Sequence, residues 1–112
     1  MFITGEQNVF VKKGDSVVLN CTCYAQNSAL WKGPNYKYVN HEDTNPLIYS
    51  TGLLLNPKLN KSNVDVVGDY GLGICNLKIS NFSLDDEGTY DCQYFDVYLS
   101  TKTYNVFVKS KY

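Results

Sequence analysis

The segment DEGTYDC, residues 86–92, is the part of the sequence that decides the fold. Tyr90 and Cys92 are two residues apart, so a strand through this segment points both side chains to the same face. A second cysteine, Cys21, lies 71 residues earlier, and the only tryptophan, Trp31, follows Cys21 by ten residues. The order Cys, Trp, Tyr and Cys along the chain is the pattern to which we relate the remaining segments.

Short segments of alternating apolar and polar residues flank this frame along the chain. In residues 16–23, the side chains of Val17, Leu19, Cys21 and Cys23 share one face, which is typical of a half-buried antiparallel strand. Turn signals rich in Gly, Asp and Pro separate such segments, and helical periodicity is nowhere sustained. The predicted strands cover residues 8–12, 16–23, 29–32, 47–50, 64–67, 75–80, 89–95 and 104–108. We therefore predict an all-β chain in which two antiparallel sheets form a sandwich.

The length and charge of the chain limit its class. Its 112 residues predict one domain that spans residues 1–112. Ten Lys and Arg against eleven Asp and Glu give a formal net charge of -1, without any block of like charge. This argues against a nucleic-acid-binding protein and against a polybasic membrane binder. The longest apolar run, around residues 53–55, is far shorter than the roughly 20 residues of a spanning helix.

The four cysteines favour two disulfides over a metal site. Zinc sites use Cys-x-x-Cys spacings, which the pair at positions 21 and 23 lacks. Two disulfides imply an oxidising compartment, so we expect the protein to be secreted or on the outer cell surface. Residues 1–7 lack the basic start and apolar stretch of a secretory signal, so we expect that a secreted protein has lost its signal and that Met1 is an expression start. Any membrane anchor is expected in a segment of the full-length chain that is absent from these 112 residues.

Together, these features resemble the immunoglobulin superfamily, in which a Tyr two residues before the second Cys forms the tyrosine corner. The resemblance covers the whole chain, and it implies a disulfide from Cys21 to Cys92 that joins the two sheets beneath the tryptophan. The residues that would form the core and the corner are Trp31, Asp86, Gly88 and Tyr90.

Among immunoglobulin domains, the chain most resembles the variable type, or V-set. The separation of Cys21 and Cys92 leaves room for the two extra strands that variable-type domains carry between strands C and D. Residues 45–49 resemble strand C′, and residues 64–69 resemble strand D. The Gly-x-Gly bulge of antigen receptors is absent from residues 100–104. The chain therefore looks like a domain of cell-surface recognition proteins such as junctional adhesion molecules, nectins and related immune receptors.

One position departs from the V-set pattern. An Arg usually begins strand D and pairs with the Asp of the tyrosine corner, but the matching position is near Asn63 in this chain. Lys61, two residues earlier, is placed to reach Asp86 instead.

The second cysteine pair follows from the expected pairing of strands B and E. If Cys21 faces Leu77 in that antiparallel pair, Cys23 falls opposite Cys75. Directly opposed residues have Cα atoms about 4.5 to 5.5 Å apart, which a disulfide can bridge. We therefore predict a disulfide between Cys23 and Cys75.

Motifs for catalysis or cofactor binding are absent from the sequence. The single histidine, His41, lies in the polar stretch 40–44, which we interpret as a solvated loop between strands C and C′. The acidic run at residues 85–87 lacks the alternating oxygen ligands of a calcium site, and we interpret it as a turn between strands E and F. We predict no enzymatic activity, no cofactor and no metal.

The resemblance places recognition on the sheet formed by strands G, F, C and C′ and on the loops at one end. Tyr90 and Cys92 point inward, so alternate residues of strand F, including Phe95, are expected to point outward. The end loops are expected at residues 24–29, 51–56 and 96–102, although residues 53–55 also fit a strand C″ that packs on the sandwich edge. The candidate partner-binding residues are Leu30, Lys32, Tyr49, Gln93, Phe95, Tyr98, Leu99 and Phe107.

The resemblance implies a non-enzymatic extracellular domain that binds another protein, or a second copy of itself, in cell adhesion or immune recognition. Alternatives are a secreted innate-immune protein that binds a microbial glycan, a decoy immunomodulator and a structural spacer. A spacer predicts a polar face, whereas an outward Phe95 gives an apolar one. No nucleic-acid partner is expected.

Three sequons for N-linked glycosylation occur, at Asn20, Asn60 and Asn81. They lie on strand B, before strand D and after strand E. None lies on strand C, C′, F or G, so any glycan is expected on the opposite sheet.

Overall fold

Nine strands in two sheets form a sandwich in the computed structural model, which describes residues 3–35 and 45–110. The strands are β1 (Ile3–Val11), β2 (Val17–Leu19), β3 (Ala29–Gly33), β4 (Leu47–Thr51), β5 (Leu54–Leu55), β6 (Val64–Asp69), β7 (Ile74–Ile79), β8 (Gly88–Asp96) and β9 (Tyr98–Val108). Three short 3-10 helices, Gln26–Ser28, Tyr70–Leu72 and Leu84–Asp86, lie in the connections. The predicted all-β sandwich is confirmed.

The strands divide unequally between the two sheets. One sheet has the order β1-β9-β8-β3-β4-β5, and the other has the order β2-β7-β6. These orders correspond to strands A′, G, F, C, C′, C″ and to strands B, E, D of a variable-type domain. β1 runs parallel to β9 over nine paired residues, which explains why both strands begin earlier than predicted. We call the outer surface of β9, β8, β3 and β4 the GFCC′ face.

Trp31 is fully buried and connects the two sheets. Its Nε1 atom, on β3, donates a hydrogen bond of 2.8 Å to the carbonyl oxygen of Cys75 on β7. Tyr104, on β9, packs against the indole with ring centroids 6.0 Å apart, and its hydroxyl donates to the carbonyl oxygen of Asn20 at 2.6 Å. Both rings thus pair their polar atoms with the backbone of the opposite layer, as buried Trp and Tyr residues require.

The tyrosine corner forms at residues 86–90. The Tyr90 hydroxyl donates a hydrogen bond of 2.6 Å to the carbonyl oxygen of Asp86. The buried Asp86 carboxylate accepts from the Ser83 backbone N–H at 3.0 Å and from Asn63 Nδ2 at 3.1 Å, and it forms an ion pair with Lys61. The predicted contact of Lys61 with Asp86 is therefore confirmed, and Asn63 contributes beside it.

Gly88 is required where this corner enters β8. Its φ is +146°, which other residues rarely adopt. A Cβ atom at this position would lie 2.5 Å from Pro34 Cγ, closer than non-bonded carbon atoms approach.

The structure contains two disulfides, Cys21–Cys92 and Cys23–Cys75, with Cα atoms 6.3 and 5.6 Å apart. These are the pairs that the sequence predicts. The first joins β8 to the segment that follows β2, and so joins the two sheets. The second joins that segment to β7 within one layer. Loss of a native disulfide typically costs a small domain about 2 to 5 kcal/mol.

The predicted register of β2 and β7 is wrong by two residues. Leu19, rather than Cys21, lies opposite Leu77. The backbone N–H of Cys75 donates to the carbonyl oxygen of Cys21 at 2.9 Å, so Cys23 reaches Cys75 diagonally. Because side chains alternate with a period of two, a shift of two residues leaves every side chain on its predicted face.

Tyr90 supplies the first testable prediction. Burial, with a smaller effect of Tyr49 and Asp86, raises the pKa of Tyr90 well above its ordinary value of 10.0. The unfolded chain releases this proton above about pH 10 while the folded chain keeps it, so the free energy of unfolding falls as the pH rises further. Tyr90→Phe should lose about 1 to 2 kcal/mol at pH 7 and show a shallower decline above pH 10.

Urea unfolding at pH 7, 10 and 11 measures both effects. Tyr24→Phe, which alters an exposed ring, is the matched control and should change neither. A Tyr90→Phe chain as stable as the wild type at pH 7 would contradict the role of the hydroxyl.

Candidate recognition face

The outer face of β8 carries the residues that the alternation predicts. Tyr90 and Cys92 are fully buried, whereas Asp91 and Gln93 are half-buried and Phe95 is 58% exposed. The three outward residues therefore form a line along the middle of the GFCC′ face.

Neighbouring strands place further residues beside this line. Leu30 on β3 lies opposite Gln93, which in turn lies opposite Thr101 on β9. Lys32 lies opposite Asp91. The centre of the face therefore has two rows of side chains. The row of Leu30, Gln93 and Thr101 carries no charge, and the next row contains the cation of Lys32 beside the anion of Asp91.

Tyr49 does not lie on this face, and its predicted outward position is wrong. Trp31 pairs with Ser50, but the next residue of β3, Lys32, pairs with Ile48. The register thus skips Tyr49, which is the extra residue of a β-bulge on β4. The bulge reverses the alternation on β4, because one inserted residue moves the following side chains to the opposite face.

The bulge makes Tyr49 part of the core. Its ring is fully buried and meets Tyr90 edge to face, with centroids 5.8 Å apart and an interplanar angle of 89°. Its hydroxyl donates to the carbonyl oxygen of Pro34 at 2.8 Å. Ile48, which was not among the sequence candidates, takes the outward position opposite Lys32 and is exposed.

Leu30, Phe95 and Leu99 form what we call the apolar patch. Phe95 and Leu99 are directly opposed across β8 and β9, and all three side chains line one pocket of about 290 Å³. The pocket lies at the upper end of the sandwich, by which we mean the end with the β8–β9 hairpin. The residues that line the pocket are Gln26, Asn27, Ser28, Ala29, Leu30, Thr51, Gln93, Tyr94, Phe95 and Leu99.

The rim of this pocket is polar but uncharged. None of its lining residues is Asp, Glu, Lys or Arg. The side-chain amides of Gln26, Asn27 and Gln93 make no hydrogen bond to any residue that the structure describes. Each amide therefore offers donors and an acceptor to a bound group. The sequence placed Gln26 and Asn27 only within an end loop, and no motif distinguishes them.

The hairpin that joins β8 to β9 projects at the edge of this pocket. Val97 forms its tip, with φ +63° and a residue exposure of 79%. Tyr98 and Leu99 follow and are also exposed. A β-branched residue rarely adopts a positive φ, so Val97 holds the tip in a strained conformation.

Phe107 is exposed on the same sheet but lies apart from the apolar patch. It stacks on Phe10 of β1, with ring centroids 5.6 Å apart, near the lower end. Between the two regions, Asn105 donates to Glu6 at 2.8 Å and to Asn8, and it accepts from Thr89 at 2.9 Å. This polar ladder crosses three strands, so the structure does not bring Phe107 together with Phe95.

The other sequence candidates have mixed outcomes. Residues 54 and 55 form the short edge strand β5, while Leu53 packs against the core, as the C″ interpretation predicts.

His41 lies outside the described residues. Within residues 3–35 and 45–110, no three His, Cys, Asp or Glu side chains come together as metal ligands. A helix with the length and apolar character needed to cross a membrane is absent from the same residues.

Relief of the strain at Val97 gives a second prediction. The left-handed conformation destabilises the folded state by roughly 1 to 2 kcal/mol for an L-residue, and glycine removes this strain. Glycine loses more conformational entropy on folding, which offsets about 0.5 to 1 kcal/mol of that gain. Val97→Gly should therefore raise the melting temperature by a few degrees. Val18→Gly, at an exposed position of β2 without positive φ, should lower it. Equal losses in both variants, measured by thermal melts, would contradict the strain.

The fold agrees with comparisons to known proteins. The family description "Immunoglobulin V-set domain" matches residues 4–110. No curated protein sequence matches the chain. A chain in the crystal structure of Dpr11 IG1 bound to DIP-gamma IG+IG2 is similar in fold, with a TM-score of 0.58 and 19% identity. That match covers 96% of this chain and 48% of the other, so this chain spans about half of its length. Since the family match covers nearly every residue, the protein belongs to the immunoglobulin V-set domain family.

Proposed function

We propose that this domain recognises another protein outside the cell through the upper part of its GFCC′ face. The observation that carries the proposal is the apolar patch formed by Leu30, Phe95 and Leu99. Phe95 and Leu99 are 58% and 45% exposed and Leu30 is half-buried beside them, so the described residues leave this patch largely uncovered. Contiguous exposed apolar groups with a polar rim are typical of protein interfaces.

The charges of the face fit association with a second copy of the chain. Lys32 and Asp91 are neighbours, and the row above them is uncharged. Two such faces related by a two-fold axis can therefore meet without opposing like charges. We infer a weak, concentration-dependent homodimer, because one small domain offers only about 800 Å² to its partner.

The comparisons support a partner that is itself an immunoglobulin domain. The similar structure contains Dpr11 IG1 bound to DIP-gamma IG+IG2, which supports an immunoglobulin-domain partner for this chain as well. The two disulfides support an extracellular location, where oxidised cysteines persist. The matching family is a recognition family, so we expect binding without catalysis, in cell adhesion or immune recognition.

The pocket supports a second candidate function, which is the binding of a glycan. Gln26, Asn27 and Gln93, whose amides make no hydrogen bond to described residues, line the same pocket as Phe95. Sugars bind through hydrogen bonds to such groups beside aromatic rings. Gln93→Ala distinguishes the candidates. It should weaken glycan-array binding strongly, whereas it should change self-association only slightly, because the apolar patch remains.

Phe95→Asp tests the proposed interface directly. A carboxylate in the apolar patch should weaken self-association about five-fold or more, because buried aromatic anchors dominate binding energies. Sedimentation velocity across a range of concentrations measures the association, and thermal melts check folding. The melting temperature should stay near that of the wild type, because Phe95 points away from the core.

Leu84→Asp is the matched control. Leu84 is at least as exposed as Phe95 but lies in the 3-10 helix at the lower end, far from the apolar patch. It should associate like the wild type. Equal association of Phe95→Asp and Leu84→Asp would show that the interface lies elsewhere, and a wild-type chain that stays monomeric would rule out the homodimer.

A glycan placed on the GFCC′ face gives an independent test. Thr101 points outward beside Gln93, and Thr103 follows two residues later, so Thr101→Asn alone creates a sequon at the centre of the face. Protein from a secretory host that carries this glycan should lose association, because the sugar separates the two faces. Thr101→Gln, which creates no sequon, should retain it. Undiminished association of the glycosylated variant would place recognition outside this face.

A further inference from the structure

The three-stranded sheet has an outer face of its own, opposite the GFCC′ face. Register places Lys78 of β7 between Val18 of β2 and Asp65 of β6 on this face. The next outward pair of β6 and β7 is Val67 and Asn76. This sheet has only three strands, so a side chain on either edge lies within about 10 Å of the opposite edge.

Asn20 occupies the outward position of the same row on the β2 side. Continuation of the β2–β7 register places it opposite Asn76, whose Oδ1 accepts from the Cys21 backbone N–H at 3.0 Å. The Asn20 side chain is exposed, and it makes no hydrogen bond to any described residue. Its carbonyl oxygen, by contrast, accepts from Tyr104. The backbone at Asn20 is therefore held firmly while its amide nitrogen remains available.

Three exposed apolar side chains share this face with Asn20. Val18 is 49% exposed, Val67 is 44% exposed and Ile74 is 37% exposed. Val67 and Ile74 are diagonal neighbours across β6 and β7, whereas the polar outward residues of β7 separate Val18 from Val67. A bulky, flexible, hydrated group attached at Asn20 would lie over all three.

We propose that Asn20 carries an N-linked glycan that covers the outer face of the three-stranded sheet. Asn20, Cys21 and Thr22 form a complete sequon. The compartment in which the two disulfides form is the one in which N-linked glycans are added, and the chain is modified there as it enters. Cys92 lies 71 residues beyond Cys21, so the Asn20 amide is still accessible before that disulfide can close.

The other two sequons lie at the lower end of the sandwich, away from the apolar patch. Asn60 is exposed in the connection between β5 and β6, and Asn81 is exposed in the connection after β7. The side chains of both also lack hydrogen bonds to described residues. Their positions extend the glycosylated region without approaching the GFCC′ face. The Asn20 proposal stands on its own geometry and does not depend on the proposed function.

Two variants test the attachment in the chain secreted from a eukaryotic host. Asn20→Gln removes the acceptor, and Thr22→Ala removes the sequon while Asn20 remains. Intact masses before and after peptide-N-glycosidase F should show one glycan fewer in each variant than in the wild type. Asn8→Gln, at an exposed asparagine outside any sequon, should lose none. An unmodified Asn20 in the wild-type chain overturns the proposal.

Hydroxyl-radical footprinting tests the coverage. Oxidation of Val67 and Ile74 should be at least about two-fold lower in the glycosylated wild type than in Asn20→Gln, because the exposed fraction of these side chains falls. Leu84, at the lower end, should react equally in both chains. Equal oxidation of Val67 and Ile74 in the two chains would show that the glycan points away from the sheet, which contradicts the proposal.

Discussion

The connection between the two sheets at Trp31 is the constraint on which the rest of the structure depends. The indole donates to the Cys75 carbonyl across the sandwich, while the Cys21–Cys92 disulfide links the same layers covalently. Together they fix the distance and the relative rotation of the sheets. Trp31 pairs with Cys92 of β8 and Ser50 of β4, and Tyr104 of β9 packs on its ring, so this link also positions the strands of the GFCC′ face.

Period-two alternation explains why most of the fold was predictable from the sequence. It predicts which side chains of β8 point inward even when the pairing partners are unknown. The two-residue error in the β2–β7 register left every side chain on its predicted face, because the period is two residues. The β-bulge was not predictable in this way. No residue type in the segment Leu47–Thr51 indicates an extra residue. The bulge is visible only in the three-dimensional structure, where the Tyr49 hydroxyl donates to the carbonyl oxygen of Pro34.

The candidate site was predictable only in part, for a related reason. Alternation predicts that Phe95 and Phe107 both point outward, but it does not say how far apart they lie on the sheet. Their separation depends on the ladder centred on Asn105, whose partners come from β1 and β8 and lie far away in the sequence. The free amides of the pocket were also unpredictable, because a hydrogen bond that is not made leaves no pattern in the sequence.

The parallel pairing of β1 with β9 has a mechanical consequence. Ile3 pairs with Ser100 near the upper end, and Val11 pairs with Val108 near the lower end. Tension applied at the two ends of the chain therefore pulls β1 and β9 in opposite directions along their common axis. All the hydrogen bonds of this ladder then carry the load together, in shear, instead of opening one after another. A domain that joins two surfaces under force would thus resist extension through its first and last strands, and its lifetime under load would be governed by the rate of unfolding.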